Sequence, residues 1–263
     1  MSTPEAPRLQ GLLGHELVGS GPKRVVIMND WLCDTSTWDG ARAYLDRARF
    51  TFAFVDLRGY GRSRGHRGVF TLAEAAADVL ALAAALTWSR FAIVGHSMST
   101  LVALHLAQHR AERVERVVVL TPPPPTGFGA DETQLAASRA VALADEATQL
   151  AYFTQRAGSR LSPAWTAFKA ARWRATADPM AAAAYVAMYA RDGLPDRTTR
   201  ISVPVLAITG EQDAPPMRRE AVLRALGPIC DDLVVTPLAD SGHYPMQEMP
   251  PLTVALAEQF LGG

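Results

Sequence analysis

Ser97 lies in Val94-Gly95-His96-Ser97-Met98-Ser99-Thr100, between a short apolar run and a helical stretch, and is the leading candidate nucleophile. A serine on a tight strand-to-helix turn lifts its hydroxyl above the strand end, and the helix N-terminus that follows turns backbone N–H groups toward it. That setting favours developing negative charge. A serine here could instead merely cap the helix, but the apolar run before it and the helix after it argue for the sharper reading. The usual spacing is G-x-S-x-G, and Ser99 stands in place of the last glycine. It is small enough to let the helix approach the neighbouring strand.

A serine hydroxyl attacks only when a base takes its proton, and the base needs a third group to fix its tautomer. His243, in Asp240-Ser241-Gly242-His243-Tyr244-Pro245, is the natural base: it follows the last apolar run, precedes the last helical stretch and sits among turn residues. His96 adjoins the serine, His105 and His109 fall on the following helix, and His15 and His66 occur early. For the acid, Asp213 in Thr209-Gly210-Glu211-Gln212-Asp213 follows another apolar run. Glu211 and Asp240 compete with it, and either could simply cap a turn.

The elements that must position these residues are short β-branched runs: Val25 to Met28, Phe52 to Val55, Phe91 to Val94, Val117 to Leu120, Val205 to Ile208 and Leu233 to Val235. Without polar alternation they read as strands buried on both faces. Helical stretches fall between or after them, at Trp38 to Ala48, Leu72 to Leu86, Ser97 to His109, Arg218 to Leu226 and Leu252 to Leu261. The alternation predicts an α/β fold with a doubly wound, mostly parallel sheet. After Leu120, Thr121 and four prolines cannot continue a central strand. An alanine-rich helical region then runs from Asp131 to Arg191, and strand character returns only at Val203. Residues 123–200 are therefore expected to form an inserted helical cap, with 1–122 and 201–263 as the core; a strand-free stretch of that length exceeds an ordinary crossover.

Composition narrows the function. The 26 basic and 26 acidic side chains cancel, so neither nucleic acid nor an anionic membrane surface is an expected partner. A small-molecule substrate is. Cys33 and Cys230 have neither metal-ligand spacing nor the density of a disulfide-stapled domain. No metal and no cofactor are expected. The N-terminal decapeptide shows no charged-then-apolar secretory pattern and no run of about 18 apolar residues occurs; a cytoplasmic location is expected.

With these motifs in place, the chain resembles the α/β-hydrolase superfamily, in the capped branch of esterases, lactonases, cofactor-free haloperoxidases and receptor-like proteins. Asp56-Leu57-Arg58-Gly59-Tyr60-Gly61-Arg62-Ser63 resembles that family's structural D-x-R-G-x-G-x-S loop. Ser241-Gly242-His243 matches its histidine motif and Gly210-Glu211-Gln212-Asp213 its acid position. The resemblance implies a Ser97, Asp213, His243 triad and an oxyanion hole from the backbone N–H groups of Met98 and Trp31. The oxyanion loop departs from the family's H-G-aromatic-P, reading Asn29-Asp30-Trp31-Leu32. The Asn29 amide can hold the loop as the histidine does. Asp30 is expected to point away, toward Arg58 or Arg62, or else to contact the ligand and tune substrate choice. The resemblance further implies a cap that roofs an apolar pocket for a small or medium acyl compound, with Trp165, Trp173 and Tyr185 among its candidate lining residues. The expected reaction is ester or lactone hydrolysis. A small-molecule sensor, a perhydrolase, a carbon–carbon hydrolase and a dioxygenase are the alternatives on the same fold. Haloalkane dehalogenases and epoxide hydrolases use an aspartate at the elbow, and Ser97 argues against both.

Overall fold

The computed structural model describes residues 11–263; the N-terminal decapeptide considered above lies outside the described residues. Seven strands form one sheet among them: β1 (His15–Val18), β2 (Lys23–Met28), β3 (Phe50–Val55), β4 (Phe91–His96), β5 (Val114–Leu120), β6 (Val205–Gly210) and β7 (Leu233–Leu238). Their spatial order is β1-β3-β2-β4-β5-β6-β7. All neighbours run parallel except β1, which pairs antiparallel to β3 with His15 opposite Val55. β3 and β4 are buried along their whole length, because helices cover both faces of the central sheet.

The strand order matters for the site. β2 pairs with β3 on one side and β4 on the other, so the chain leaves β2 in one direction and β4 in the other. Connections that diverge from adjacent strands leave a crevice at the strands' C-terminal ends, where ligands bind in open α/β sheets. The loops after β2 and β4 carry Trp31 and Ser97.

The helices of the core are α1 (Leu72–Ala85) and α2 (Ser99–His109) before the long insertion. α2 is the central one, with Leu101, Val102, Ala103 and Leu104 fully buried behind the elbow. The predicted helix over residues 38–48 is absent. Two single 3-10 turns, Thr35–Trp38 and Arg42–Tyr44, take its place. Asp34 caps the first through Ser36 N–H, and Trp38 turns into the core, where its Nε1 donates to the Met28 carbonyl at 3.3 Å. Short β1 also escaped the sequence reading, because four mixed residues on a half-exposed edge carry no apolar run.

Between β5 and β6 the chain forms α3 (Glu132–Ala142), α4 (Glu146–Ala157), α5 (Pro163–Thr176) and α6 (Pro179–Ala187), with no strand among them. Each begins at a side-chain cap: Asp131, Asp145, Ser162 and Asp178 accept from backbone N–H groups of the first turn. Proline at the first position of α5 and α6 suits a helix start, where its missing N–H goes unused. α6 runs into a π-helical turn, Met188–Asp192. The chain closes with α7 (Arg219–Leu226), the short α8 (Pro245–Glu248) and α9 (Pro250–Gly262). Among the described residues no helix is long and apolar enough to cross a membrane.

Candidate active site

Ser97 occupies the turn between β4 and α2 at φ 53°, one of the few non-glycine residues in the left-handed region. Such strain persists only where the surroundings enforce it. Here the Ser97 N–H donates to the Leu120 carbonyl at 3.0 Å, and its carbonyl accepts from the Thr100 N–H at 3.0 Å and the Thr100 hydroxyl at 2.6 Å. Gly95 is obligatory, since a Cβ there would lie 2.7 Å from the backbone of Ser99 and Thr100. Ser99 stiffens the same turn: its Oγ accepts the His96 N–H at 3.0 Å and donates to the His96 carbonyl at 3.1 Å.

The Ser97 Oγ lies 3.0 Å from His243 Nε2, and His243 Nδ1 lies 2.7 Å from Asp213 Oδ2. The other oxygen of Asp213 accepts the Ala214 N–H at 2.7 Å. Burial acts to raise the Asp213 carboxyl, but the charge and hydrogen bond of His243, with Arg156 and the Ala214 N–H, outweigh it and hold the carboxyl below the ordinary aspartate value. The competing carboxylates lie elsewhere. Glu211 accepts from the Arg219 N–H and the Thr209 hydroxyl, and Asp240 is exposed. Gly210 lets the two loops meet, because a Cβ there would come within 2.0 Å of the Gly242 carbonyl oxygen.

The histidine loop is fixed from three sides. The His243 carbonyl accepts from His96 Nε2 at 2.7 Å and the Thr121 hydroxyl at 3.2 Å. Glu248 accepts the N–H groups of Gly242 and Tyr244 at 2.8 and 3.0 Å, and is itself held by Arg160 of the α4–α5 connection at 3.0 Å. Neither Glu248 nor Arg160 stood out in the sequence; Glu248 acts on backbone N–H groups and Arg160 acts through Glu248, and neither role leaves a motif.

In the loop after β2, Asn29 is fully buried, its Nδ2 donating to the Asp30 carbonyl at 2.7 Å and its Oδ1 accepting the Leu57 N–H at 2.8 Å. Among the described residues, neither the Trp31 nor the Met98 backbone N–H donates to a protein acceptor. The Trp31 indole donates to the Ala182 carbonyl at 2.7 Å, tying this loop to α6. Asp30 does not reach Arg58 or Arg62, which corrects that expectation. Arg58 pairs with Asp78, and Arg62 with Glu16 and Asp56. Asp30 instead bends back on its own turn, accepting the Cys33 N–H at 3.1 Å, and its second oxygen lies 3.9 Å from His96 Nδ1. Burial pushes the Cys33 thiol up to about 12 and His96 down to about 3, so both stay neutral. Among the described residues no group of three or more His, Cys, Asp or Glu side chains could hold a metal ion.

Above these groups lies a chamber of about 20 Å³, lined by Asp30, Trp31, Ser97 and His243 from the core and by Phe128, Tyr152, Arg156 and Tyr189 from the helical insertion. Residues 25–256 match the model of the alpha/beta hydrolase family. The chain belongs to the alpha/beta hydrolase family. It is 33% identical over 110 residues to a pimeloyl-[acyl-carrier protein] methyl ester esterase of Klebsiella pneumoniae, a stretch covering 41% of this chain and 40% of that protein. The chain thus spans well under half the length of the curated relatives it matches. Two solved structures share the fold across almost all of both chains. A hydrolase from Pseudomonas aeruginosa superposes with TM-score 0.82 at 24% identity over 98% of this chain and 100% of its own. An enol-lactonase from Burkholderia xenovorans gives 0.79 at 24% over 97% and 98%.

Three expected lining residues of this alpha/beta hydrolase do not line the chamber. Trp173 is buried inside the helical layer against Phe153, Tyr152 and Trp31. Tyr185 stacks on Tyr60, with Phe70 edge-on. Trp165 packs edge-on against Tyr244, and its Nε1 donates to Gln247 at 3.2 Å. Tyr152 and Arg156 take their place, one turn apart on α4. Their i, i+4 spacing marks a shared face, yet nothing in the sequence says that this face looks downward.

Proposed function

We propose that the chain is a serine hydrolase that cleaves an ester or lactone bond in a small-molecule substrate through an acyl-enzyme. The observation that carries this reading is the unbroken line of hydrogen bonds from Ser97 through His243 to Asp213, beside two unengaged backbone N–H groups. His243 Nε2 takes the Ser97 proton as Oγ attacks the carbonyl carbon, and Asp213 holds the ring in the tautomer that leaves Nε2 free to accept. The Met98 and Trp31 N–H groups, which donate to no protein acceptor among the described residues, stabilise the oxyanion. His243 then donates its proton to the departing alcohol. Water, deprotonated by the same ring, releases the acid and restores Ser97.

Roof and floor divide this work. Residues 123–200 act as the cap, over a core that among the described residues comprises 11–122 and 201–263. A chamber of about 20 Å³ has room for little more than a water molecule. Even a short acyl group therefore enters only as roof side chains move aside. The esterase and enol-lactonase relatives support ester-bond chemistry. A cytoplasmic, reducing setting suits Cys33 and Cys230, both buried and free.

The test is labelling with a fluorophosphonate, followed by turnover of an acyl-chain-length series. The intact chain is labelled and Ser97→Ala is not. Labelling that persists in Ser97→Ala moves the nucleophile elsewhere, and product that stops near one equivalent per chain supports a sensor.

A further inference from the structure

Arg156 is the one strongly charged side chain that the roof contributes to the chamber holding Ser97. It also lines a second cavity, of about 320 Å³, that shares Trp31, Phe128, Tyr152 and Tyr189 with the chamber and opens farther out beneath α3. Its side chain therefore stands at the junction between an outer vestibule and the reacting groups. Five other arginines of the insertion reach a carboxylate: Arg160 pairs with Glu248, Arg172 with Asp34, Arg174 with Glu146, Arg191 with Glu132 and Arg200 with Asp231. Arg156, half-buried, makes no ion pair among the described residues. Its Nε donates to the Tyr152 hydroxyl at 2.6 Å and its guanidinium lies 4.9 Å from the centre of that ring. Both contacts orient the fork while leaving the two terminal nitrogens without a protein acceptor.

A guanidinium offers parallel N–H donors that match a carboxylate, and in a half-buried site such a charge-assisted pair is strong. The carboxylates nearby are already committed. Asp213 is bonded to His243, and Asp30 accepts from its own loop. Burial works against the Arg156 charge, but Tyr152, Tyr244, Asp213 and Tyr189 around it favour it more, and the group stays a cation.

Resting on the hydrolase reading above, we propose that Arg156 is a specificity-determining residue that binds a carboxylate on the substrate, so that the preferred substrates are anionic esters or lactones. Orientation by Tyr152 makes it a fixed recognition element, and the vestibule gives the anionic end of the substrate its path.

Two matched pairs of esters test this: mono-p-nitrophenyl glutarate against p-nitrophenyl pentanoate, and 4-carboxyphenyl butyrate against phenyl butyrate. The first places the carboxylate on the acyl side and the second on the alcohol side. In one pair, the anionic-to-neutral ratio of kcat/KM falls by about ten- to a hundredfold in Arg156→Met, while Arg156→Lys keeps part of it. The pair that responds identifies the side. With the unaltered chain, hexanoate inhibits neutral-ester hydrolysis at least about tenfold more tightly than hexanamide, a result that needs no variant to fold. If neutral esters turn over but both ratios are the same in Arg156→Met as in the intact chain, or hexanoate and hexanamide inhibit equally, the anion assignment falls and the hydrolase reading stands. If Arg156 serves only to offset the Asp213 charge, anionic and neutral esters lose rate together, which also overturns it. No turnover of any ester and no fluorophosphonate labelling of Ser97 take both readings down.

Discussion

Ser97 and His243 reach the chamber, with Asp213 behind His243, from loops at the C-terminal ends of β4, β7 and β6, whereas Tyr152, Arg156 and Tyr189 reach it from helices whose other faces pack against one another. The floor groups are positioned by backbone. Parallel pairing sets β4, β5, β6 and β7 side by side in that order with their C-terminal ends together, and glycines at 95 and 210 let neighbouring chains come within contact of the turns that bear the serine and the acid. The roof groups are positioned by side-chain packing, Trp31 being ringed by Tyr152, Trp173 and Tyr189 at centroid distances of 5.2 to 6.2 Å. The comparison teaches where change should be tolerated. On the proposed hydrolase reading, a floor residue has one geometry that works, and a roof residue has a shape and a charge that can be traded for another substrate.

The largest effect should come from breaking the floor. Ser97→Ala and His243→Ala are each expected to lower kcat by about 10⁴-fold or more, and the double variant no further than either alone. Kinetics of both singles and the double on one ester decide it. Additive losses would mean that the two residues do not act as a unit.

This contrast also explains what the sequence made legible. Strands buried on both faces leave unbroken β-branched runs, and turns at strand ends need particular small residues, so the sheet and the positions of Ser97, Asp213 and His243 could be read in advance. The residues after β2 were harder. Two 3-10 turns and the inward turn of Trp38 stand where a helix was expected, and Asp30 accepts an N–H of its own turn where an arginine partner was expected. On the roof, helical periodicity shows that Trp173, Tyr185 and Arg156 sit on faces, but a helix packed on several sides buries more than one face. Which aromatic fills the layer and which one looks into the chamber is fixed by how α4, α5 and α6 lean together, and no local spacing records that.

A second way to stress the floor is acid. His96 is fully buried between Asp30 and His243, and its Nδ1 has no partner among the described residues. Burial, with the neighbouring His243 and Lys169 adding to it, lowers it to about 3, against the pull of Asp30 and of the His243 carbonyl. The unfolded chain takes up this proton near pH 6.5 and the native chain does not, so stability is full above that pH and is lost as pH falls from about 6.5 toward 3, at about 1.4 kcal/mol per pH unit. Asp213 acts in a lower window, its native carboxyl lying below the unfolded value near 4. Urea melts at pH 7, 6 and 5 should show the slope in the native sequence and lose that share of it in His96→Gln, whose amide can still donate to the His243 carbonyl. An unchanged slope would place a proton on native His96.

Between floor and roof stands the loop after β2, held by Asn29. Asn29→Ala strips the acceptor from the buried Leu57 N–H and frees the Asp30 carbonyl. A loss of about 1 to 3 kcal/mol in stability is expected, with kcat lower by about tenfold as the Trp31 N–H loses its aim. A drop in stability with no change in kcat would remove Trp31 from the proposed oxyanion hole.

The smallest effects on rate should come from the uncharged side chains of the roof, and there the comparison becomes sharpest, because two tyrosines four residues apart do different work. Tyr189 lies in the π-helical turn after α6 and lines the chamber, while Tyr185, within α6, stacks on Tyr60 with centroids 5.9 Å apart. Tyr189→Leu opens space beside Trp31 and should shift the preferred acyl length, changing relative kcat/KM by a few-fold, the scale of one or two methylenes in an apolar pocket. Tyr185→Leu should leave the preference where it was and cost about 2 to 4 kcal/mol of stability, because it removes buried ring contacts away from the chamber. Thermal melts and a chain-length series on both variants separate the roles. If Tyr185→Leu moves the preference as far as Tyr189→Leu does, the helical layer transmits its packing to the substrate as a unit, and the distinction between residues that face the chamber and residues that support it does not hold.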